Sequence, residues 1–267
     1  MSGWRVRKPV QLVSFIVFFF VTIAIIVFML QEKLIFFPEV LPDNHRFSFQ
    51  NHFEEKYFNC PSGNRIHALY FPAENAKGIV LYFHGNAGSL NGWGGVAADF
   101  LPLNYSVVIP DYPGYGKSRG KLSEKNLYSD AQHIFDVISK QHAGENITIY
   151  GRSIGSGIAA HLAHKNTARA LILESPFFNL PDLKKKLFPF IPDFLLRYRF
   201  RTDQVIQKVS CPVYIIHGNS DEVVYFGSSL KLQELFKPAD RLFAIDGGHH
   251  NDLSAFAGYY EALKIIL

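Results

Sequence analysis

Cysteine is nearly missing from this chain. Two residues in 267, Cys60 and Cys211, supply neither the paired spacing of a zinc site nor a disulfide framework. Both read as free thiols. A strong excess of one charge is missing too: 27 Lys and Arg stand against 23 Asp and Glu. A net +4 is too weak to argue a nucleic-acid-binding face, which needs clustered basic residues. No internal repeat and no low-complexity tract occurs, so repeat arrays and biased disordered segments drop out. A nucleotide loop is absent as well. The stretch "DYPGYGKSRG" (111–120) contains Gly-Lys-Ser, but G-x-x-x-x-G-K-[ST] needs glycine where Asp111 stands.

What is present is apolar and aromatic. Hydrophobic residues make up 48% of the chain and aromatics 15%, with 25 Phe. That suits one large or two small domains with a sizeable core. The one long hydrophobic run is Leu12 to Leu30, "LVSFIVFFFVTIAIIVFML", uncharged throughout. About twenty such residues in a helix cross a hydrocarbon core of about 30 Å. A cleaved signal has a shorter apolar region and a small-x-small site, and "FMLQEKL" offers none. An uncleaved anchor is the expectation. Arg5, Arg7 and Lys8 precede the run, whereas Lys33 beside Glu32 follows it. The positive-inside rule then leaves the N-terminus in the cytoplasm and the rest of the chain on the periplasmic, lumenal or extracellular side. Residues 1–11 are the cytoplasmic end, 12–30 the anchor, and 31–50 a connector whose Leu34, Ile35, Phe36 and Phe37 suit the membrane interface.

From residue 51 onward strand-like and helix-like segments alternate. "EEKYFNC" and "RIHALYF", joined by "PSGN", predict a hairpin. Six apolar runs follow: 78–83, 105–110, 146–151, 169–174, 212–218 and 241–246. Runs that are apolar at every position, not alternately, suit strands buried on both faces of a parallel sheet. Between them, 123–142, 155–165 and 225–236 carry helical spacing, the first behind a candidate capping Ser123. The predicted fold is an α/β sheet, mostly parallel, with helices on both faces. Ligands of such sheets bind at the carboxyl ends of strands.

Those ends hold the chemistry. After the run at 146–151 comes "GRSIGSG", which centres G-x-S-x-G on Ser153. Small residues two before and two after a serine allow the sharp strand-to-helix turn that exposes a nucleophile. After the run at 212–218 comes "NSDEVV" with Asp221, an acid placed to orient an imidazole. Glu174, closing the run at 169–174, is the competing acid and reads as a buried structural carboxylate; Asp246 sits too close in sequence to the histidines. After the last run comes "GGHHNDL", with His249 and His250 as rival bases. Asn251 or Asp252 suits the cap of the final helix. Acyl transfer also needs backbone N–H donors for an oxyanion. Ile154, next to the serine, offers one, and Asn86 in "HGNAGS" offers the other, with Ala87 its neighbour. His84 in that loop reads as a packing residue. The order Ser, Asp, His is that of the α/β-hydrolase fold.

The set "HGNAGS", "DYPGYGKSRG", "GRSIGSG", "ILESPF", "HGNSDEVV" and "GHHNDL" resembles the α/β-hydrolase superfamily over residues 50–267. Its likeness is to the branch of membrane-anchored α/β-hydrolase-domain serine hydrolases with a short cap. The resemblance implies an α/β-hydrolase domain over 51–267, with a helical cap at about 177–210. It also implies Ser153 as nucleophile, Asp221 as acid, and Asn86 and Ile154 as oxyanion amides. The family pattern Gly-x-Gly-His-Asn-Asp puts the base on His250, with His249 where the second glycine would stand. A serine hydrolase needs no metal or organic cofactor, the glycine-lysine-serine stretch implies no nucleotide, and the anchor and aromatic content favour an amphipathic acyl ester or thioester as substrate. Lysophospholipases and protein depalmitoylases are among the group's members. A serine peptidase or a silent binding protein on the same fold is the alternative. The cap mixes Phe188, Phe190 and Phe194 with Lys184–Lys186 and Arg197, Arg199 and Arg201. It could pack on the core with its basic face in water, or lie against the membrane.

Overall fold

The computed structural model describes residues 7–267; Arg5 and the rest of 1–6 in the proposed cytoplasmic end lie outside the described residues. The six apolar runs and both arms of the hairpin form one eight-stranded sheet. Its strands are β1 (Glu54–Asn59), β2 (Arg65–Phe71), β3 (Gly78–Phe83), β4 (Tyr105–Pro110), β5 (Ile147–Arg152), β6 (Ala170–Glu174), β7 (Val213–Gly218) and β8 (Arg241–Ile245). Their order is β1-β2-β4-β3-β5-β6-β7-β8. Only β1–β2 and β2–β4 are antiparallel; every later pairing is parallel.

Unbroken apolar runs follow from burial on both faces. In β3, Ile79, Leu81 and Phe83 join one core while Val80 and Tyr82 join the other. The first face is covered by α2 (Glu124–Ser139) and α3 (Ile154–Ala163), which bury Ile134, Ile138, Ile158 and Leu162. The second is covered by α6 (Ala257–Ile266), through Tyr259, Ala262, Leu263 and Ile266. Ser123 caps α2 by accepting from Asn126 N. Neither Asn251 nor Asp252 caps α6, which begins behind Phe256. Asp252 turns back and accepts from His249 N at 2.7 Å. Two shorter helices, α4 (Leu180–Leu187) and α5 (Gly227–Gln233), follow β6 and β7.

The N-terminal helix α1 (Arg7–Ile35) outruns the apolar stretch 12–30. Its segment Gln11–Ile35 is long and apolar enough to cross a membrane, and the apolar stretch within it is unburied by the protein, whereas Gln31 near its end is buried. The connector 31–50 is no free linker. Residues 31–35 are helical, and Phe36, rather than resting at an interface, is buried against Tyr198 with ring centroids 5.0 Å apart. Phe37 and Pro38 then pair in parallel with Ala87 and Gly88, and Val40 bridges Gly116.

Candidate active site

Ser153 stands where β5 gives way to α3, with φ +53° and ψ −117°. Few non-glycine residues adopt that conformation, and such strain persists only where the surroundings enforce it. Here β5, β6 and α3 enforce it: Ser153 N donates to the Glu174 carbonyl at 2.9 Å. The helix must also approach the sheet closely. A Cβ on Gly155 would fall 2.2 Å from the Phe83 carbonyl oxygen and 2.7 Å from that of His84. Both are backbone atoms of the strand end, so neither can rotate away. Gly155→Ala is expected to destabilise the fold by about 1–3 kcal/mol, read as a lower unfolding midpoint in denaturant. An unchanged midpoint would show that the strand end yields.

The buried Ser153, His250 and Asp221 form one line. His250 Nε2 lies 3.0 Å from Ser153 Oγ, and His250 Nδ1 lies 2.7 Å from Asp221 Oδ2. An ionised carboxylate only accepts, so Nδ1 donates to it and Nε2 is left to accept from the serine hydroxyl. Asp221 Oδ1 accepts from the Val223 and Val224 amides, each at 2.8 Å. Burial pushes the Asp221 carboxyl up. Hydrogen bonds from His217 and His250, with the adjacent imidazole and the Val224 amide, outweigh it and hold the group well below the usual carboxylate range.

The rival histidine is elsewhere. His249 is exposed and its Nδ1 meets the exposed Glu222 at 2.9 Å. Its position needs no glycine, because it is not among the residues of positive φ. The loop's glycine requirement falls on its two neighbours. Gly247 has φ +72°, and a Cβ on Gly248 would meet Leu253 at 2.7 Å and the Gly218 Cα at 3.2 Å. That contact sets the histidine loop against the end of β7, where Ser220 N donates to the Gly248 carbonyl at 3.0 Å.

Two further side chains at the site carry no signal of their own in the sequence. His217 is the penultimate residue of β7 and is fully buried. Its Nε2 donates to Asp221 Oδ2 at 3.1 Å and to the Val224 carbonyl at 2.9 Å, while its Nδ1 accepts from Ser229 at 2.6 Å. The available cue was a histidine four residues before the acid. Arg152 is the variable residue of G-R-S. It donates to the His250 carbonyl at 3.0 Å and to Asn251 at 3.1 Å, and its Nε sits 3.1 Å from Glu174. Glu174 also accepts from Tyr150 at 2.6 Å. This carboxylate therefore braces the histidine loop through Arg152 rather than touching an imidazole. Asp246 instead accepts from Asn219 at 2.8 Å.

The loop after β3 runs beside the serine: a Cβ on Gly85 would come within 4.0 Å of Ser153 Cβ. His84 packs beneath it, fully buried, its ring 4.2 Å from that of Tyr112. Ile154 opens α3, where the first N–H groups have no acceptor within the helix, and Asn86 follows Gly85 in the loop beside the serine. Asn86 is tied down. Its carbonyl accepts from Phe37 N at 2.9 Å and from Tyr115 at 2.7 Å, and its side chain donates to the Ile35 carbonyl at 3.0 Å. The membrane-length helix thus ends directly on this loop. Among the described residues no cluster of three metal-ligating side chains occurs. A hydroxyl facing an imidazole fixed by a carboxylate can be deprotonated as it attacks a carbonyl carbon.

Residues 74–204 match the family described as serine aminopeptidase, S33. Alpha/beta hydrolase domain-containing protein 17B of Homo sapiens is 35% identical over 216 residues, which cover 76% of this chain and 70% of that protein. Protein 17C of Mus musculus is 34% identical over 214 residues, 75% of this chain and 63% of that protein. Among solved structures, the Pyrococcus furiosus esterase Pf2001 superposes with a TM-score of 0.67 at 16% identity, covering 87% of this chain and 98% of that one. Est1E of Butyrivibrio proteoclasticus, solved with ferulic acid, gives 0.61 at 20% identity, over 79% and 95%.

Proposed function

The chain belongs to the α/β-hydrolase superfamily, and from that premise we propose a membrane-anchored serine hydrolase that cleaves a carboxylic ester or thioester of an amphipathic acyl compound. The observation that carries this reading is the line from Ser153 through His250 to Asp221. Ser153 attacks the acyl carbonyl as His250 Nε2 takes its proton. Asp221 holds the ring in that tautomer and stabilises the imidazolium. The amides of Asn86 and Ile154 receive the oxyanion. His250 then protonates the leaving alcohol or thiol, and water attacks the acyl-enzyme by the same relay to release the acid. The α1 helix is the anchor, and the positive residues before its apolar run favour a cytoplasmic N-terminus with the hydrolase on the opposite side. An acyl substrate with a long chain fits an enzyme whose oxyanion loop is bonded to the end of that helix.

A fluorophosphonate probe is expected to modify one serine, mapped by peptide mass spectrometry to Ser153. The same preparation is then offered an acyl ester, an acyl thioester, a lysophospholipid and an aminoacyl amide. Turnover of the first three, with the amide refused, supports the proposal. Cleavage of the amide alone would make the chain a peptidase. Failure of folded protein to react would make it a binding protein on a hydrolase fold.

A further inference from the structure

The stretch 187–196, "LFPFIPDFLL", projects from the cap beyond α4. Phe190 and Phe194 are 81% and 76% exposed, values that aromatic side chains rarely keep in water without a partner. Across from them lies α1. Val21, Ala24 and Phe28 form one wall of an apolar trough of about 690 Å³, and Phe190, Ile191 and Phe194 form the other.

The tip is fastened to the helix just past the trough. Gln31 donates to the Leu195 carbonyl at 2.6 Å and accepts from Arg197 N at 2.8 Å. Glu32 accepts from Arg197 at 2.6 Å and from Tyr198 at 3.0 Å. With those contacts in place, the tip shares the depth of Val21–Phe28. If α1 crosses a bilayer, lipid surrounds both walls. We propose that the tip of the cap is immersed in the same leaflet as the C-terminal half of α1, and that the acyl chain of a bilayer lipid fills the trough between them.

The tip's side chains are apolar except for Asp193, whose side chain is 64% exposed. Asp193 is paired with Lys184 at 2.5 Å, and Lys184 also donates to the Ile191 carbonyl at 2.6 Å. Pro189 and Pro192 have no N–H to satisfy, and Phe188, Ile191, Leu195 and Leu196 N–H groups bond within the tip or to α4. Basic side chains flank the tip in the sequence on both sides. Arg197 lies over the Phe28 ring at 5.4 Å, and Lys185 and Arg199 are exposed. The trough ends about 10 Å along α1 from Ile35, whose carbonyl accepts from Asn86. A chain lying there would point towards the oxyanion loop.

The proposal rests on α1 spanning a bilayer and is independent of the chemistry of Ser153. Nitroxide labels at Phe190→Cys and Phe194→Cys test it in full-length protein in dioleoylphosphatidylcholine vesicles, with Ile25→Cys on α1 as reference. The native thiols are buried, and burial pushes Cys60 up to about 12 and Cys211 up to about 11, so labelling favours the introduced sites. The expected result is preferential access of oxygen over a water-soluble nickel chelate at 190 and 194, in the sense seen at 25. Preferential access of the chelate at 190 and 194, with 25 still shielded, puts the tip in water and overturns the proposal. Labels immobilised and shielded from both reagents, and freed on dilution of the protein, put a second copy there instead. Chelate access at position 25 removes the premise and the proposal together.

Discussion

Ser153→Ala and His250→Ala are each expected to lower kcat by roughly 10⁵–10⁶-fold, and the double variant by little more. In the proposed mechanism the two side chains act as one unit: without the imidazole the hydroxyl stays protonated, and without the hydroxyl the imidazole has nothing to activate. Their separation of 3.0 Å is a hydrogen bond in the resting protein, so removing either partner breaks the same step. His249→Ala is the sharper control, because it differs from His250→Ala by one position in a histidine pair. Its side chain points to Glu222 on the surface. The hydrogen bond that His249 donates to that carboxylate raises the pKa of His249, against an opposing effect of burial. Such an exposed pair contributes little, and turnover should stay within about twofold. Steady-state hydrolysis of p-nitrophenyl acetate by the three single variants decides the register. Loss of activity in His249→Ala with retention in His250→Ala would invert the assignment.

The fold was legible because burial on both faces writes itself into composition. A strand such as β3 sends Ile79, Leu81 and Phe83 to one core and Val80 and Tyr82 to the other, so no polar alternation dilutes the signal. Ser153 was legible for a different reason. The close approach of α3 to β3 demands a missing side chain at Gly155, and a glycine at fixed spacing is visible in one dimension. What stayed hidden depends on contacts between distant segments. Asn251 and Asp252 have the composition of a helix cap, yet Asp252 spends its carboxylate on His249 N. Nothing local in "PVYIIHG" distinguishes a histidine that will hold Asp221 from one that merely ends a strand. Arg152 gains its meaning from Glu174 and from a carbonyl 98 residues away. The last turn of α1 likewise reads as plain membrane flank until Ile35 meets Asn86, 51 residues on.

Those hidden contacts shape the expected behaviour of Asp221→Asn. An asparagine of nearly the same size can still accept from Val223 and Val224 through its carbonyl oxygen. Its other terminus, however, becomes an NH₂ where Oδ2 had accepted from two rings. His250 responds by accepting at Nδ1, which moves its proton to Nε2 and leaves no acceptor for Ser153. Turnover should fall by roughly 10⁴-fold with substrate binding little changed. His217 makes the exchange costlier than the catalytic pair alone implies. Its Nε2–H is fixed towards the acid because Nδ1 accepts from Ser229, so donor now faces donor in a buried site. The variant should therefore also be less stable at neutral pH, and the sign of the pH dependence follows from the lowered carboxyl. A group with a depressed folded pKa stabilises fully above its unfolded value of about 3.9 and loses that contribution as pH falls towards the folded value. The stability gap between wild type and Asp221→Asn, measured by denaturant unfolding, should be widest near neutrality and narrow below about pH 4. A gap that stayed constant down to pH 3 would mean that the carboxylate charge at Asp221 does not stabilise the fold, and that the loss of activity comes from the tautomer alone.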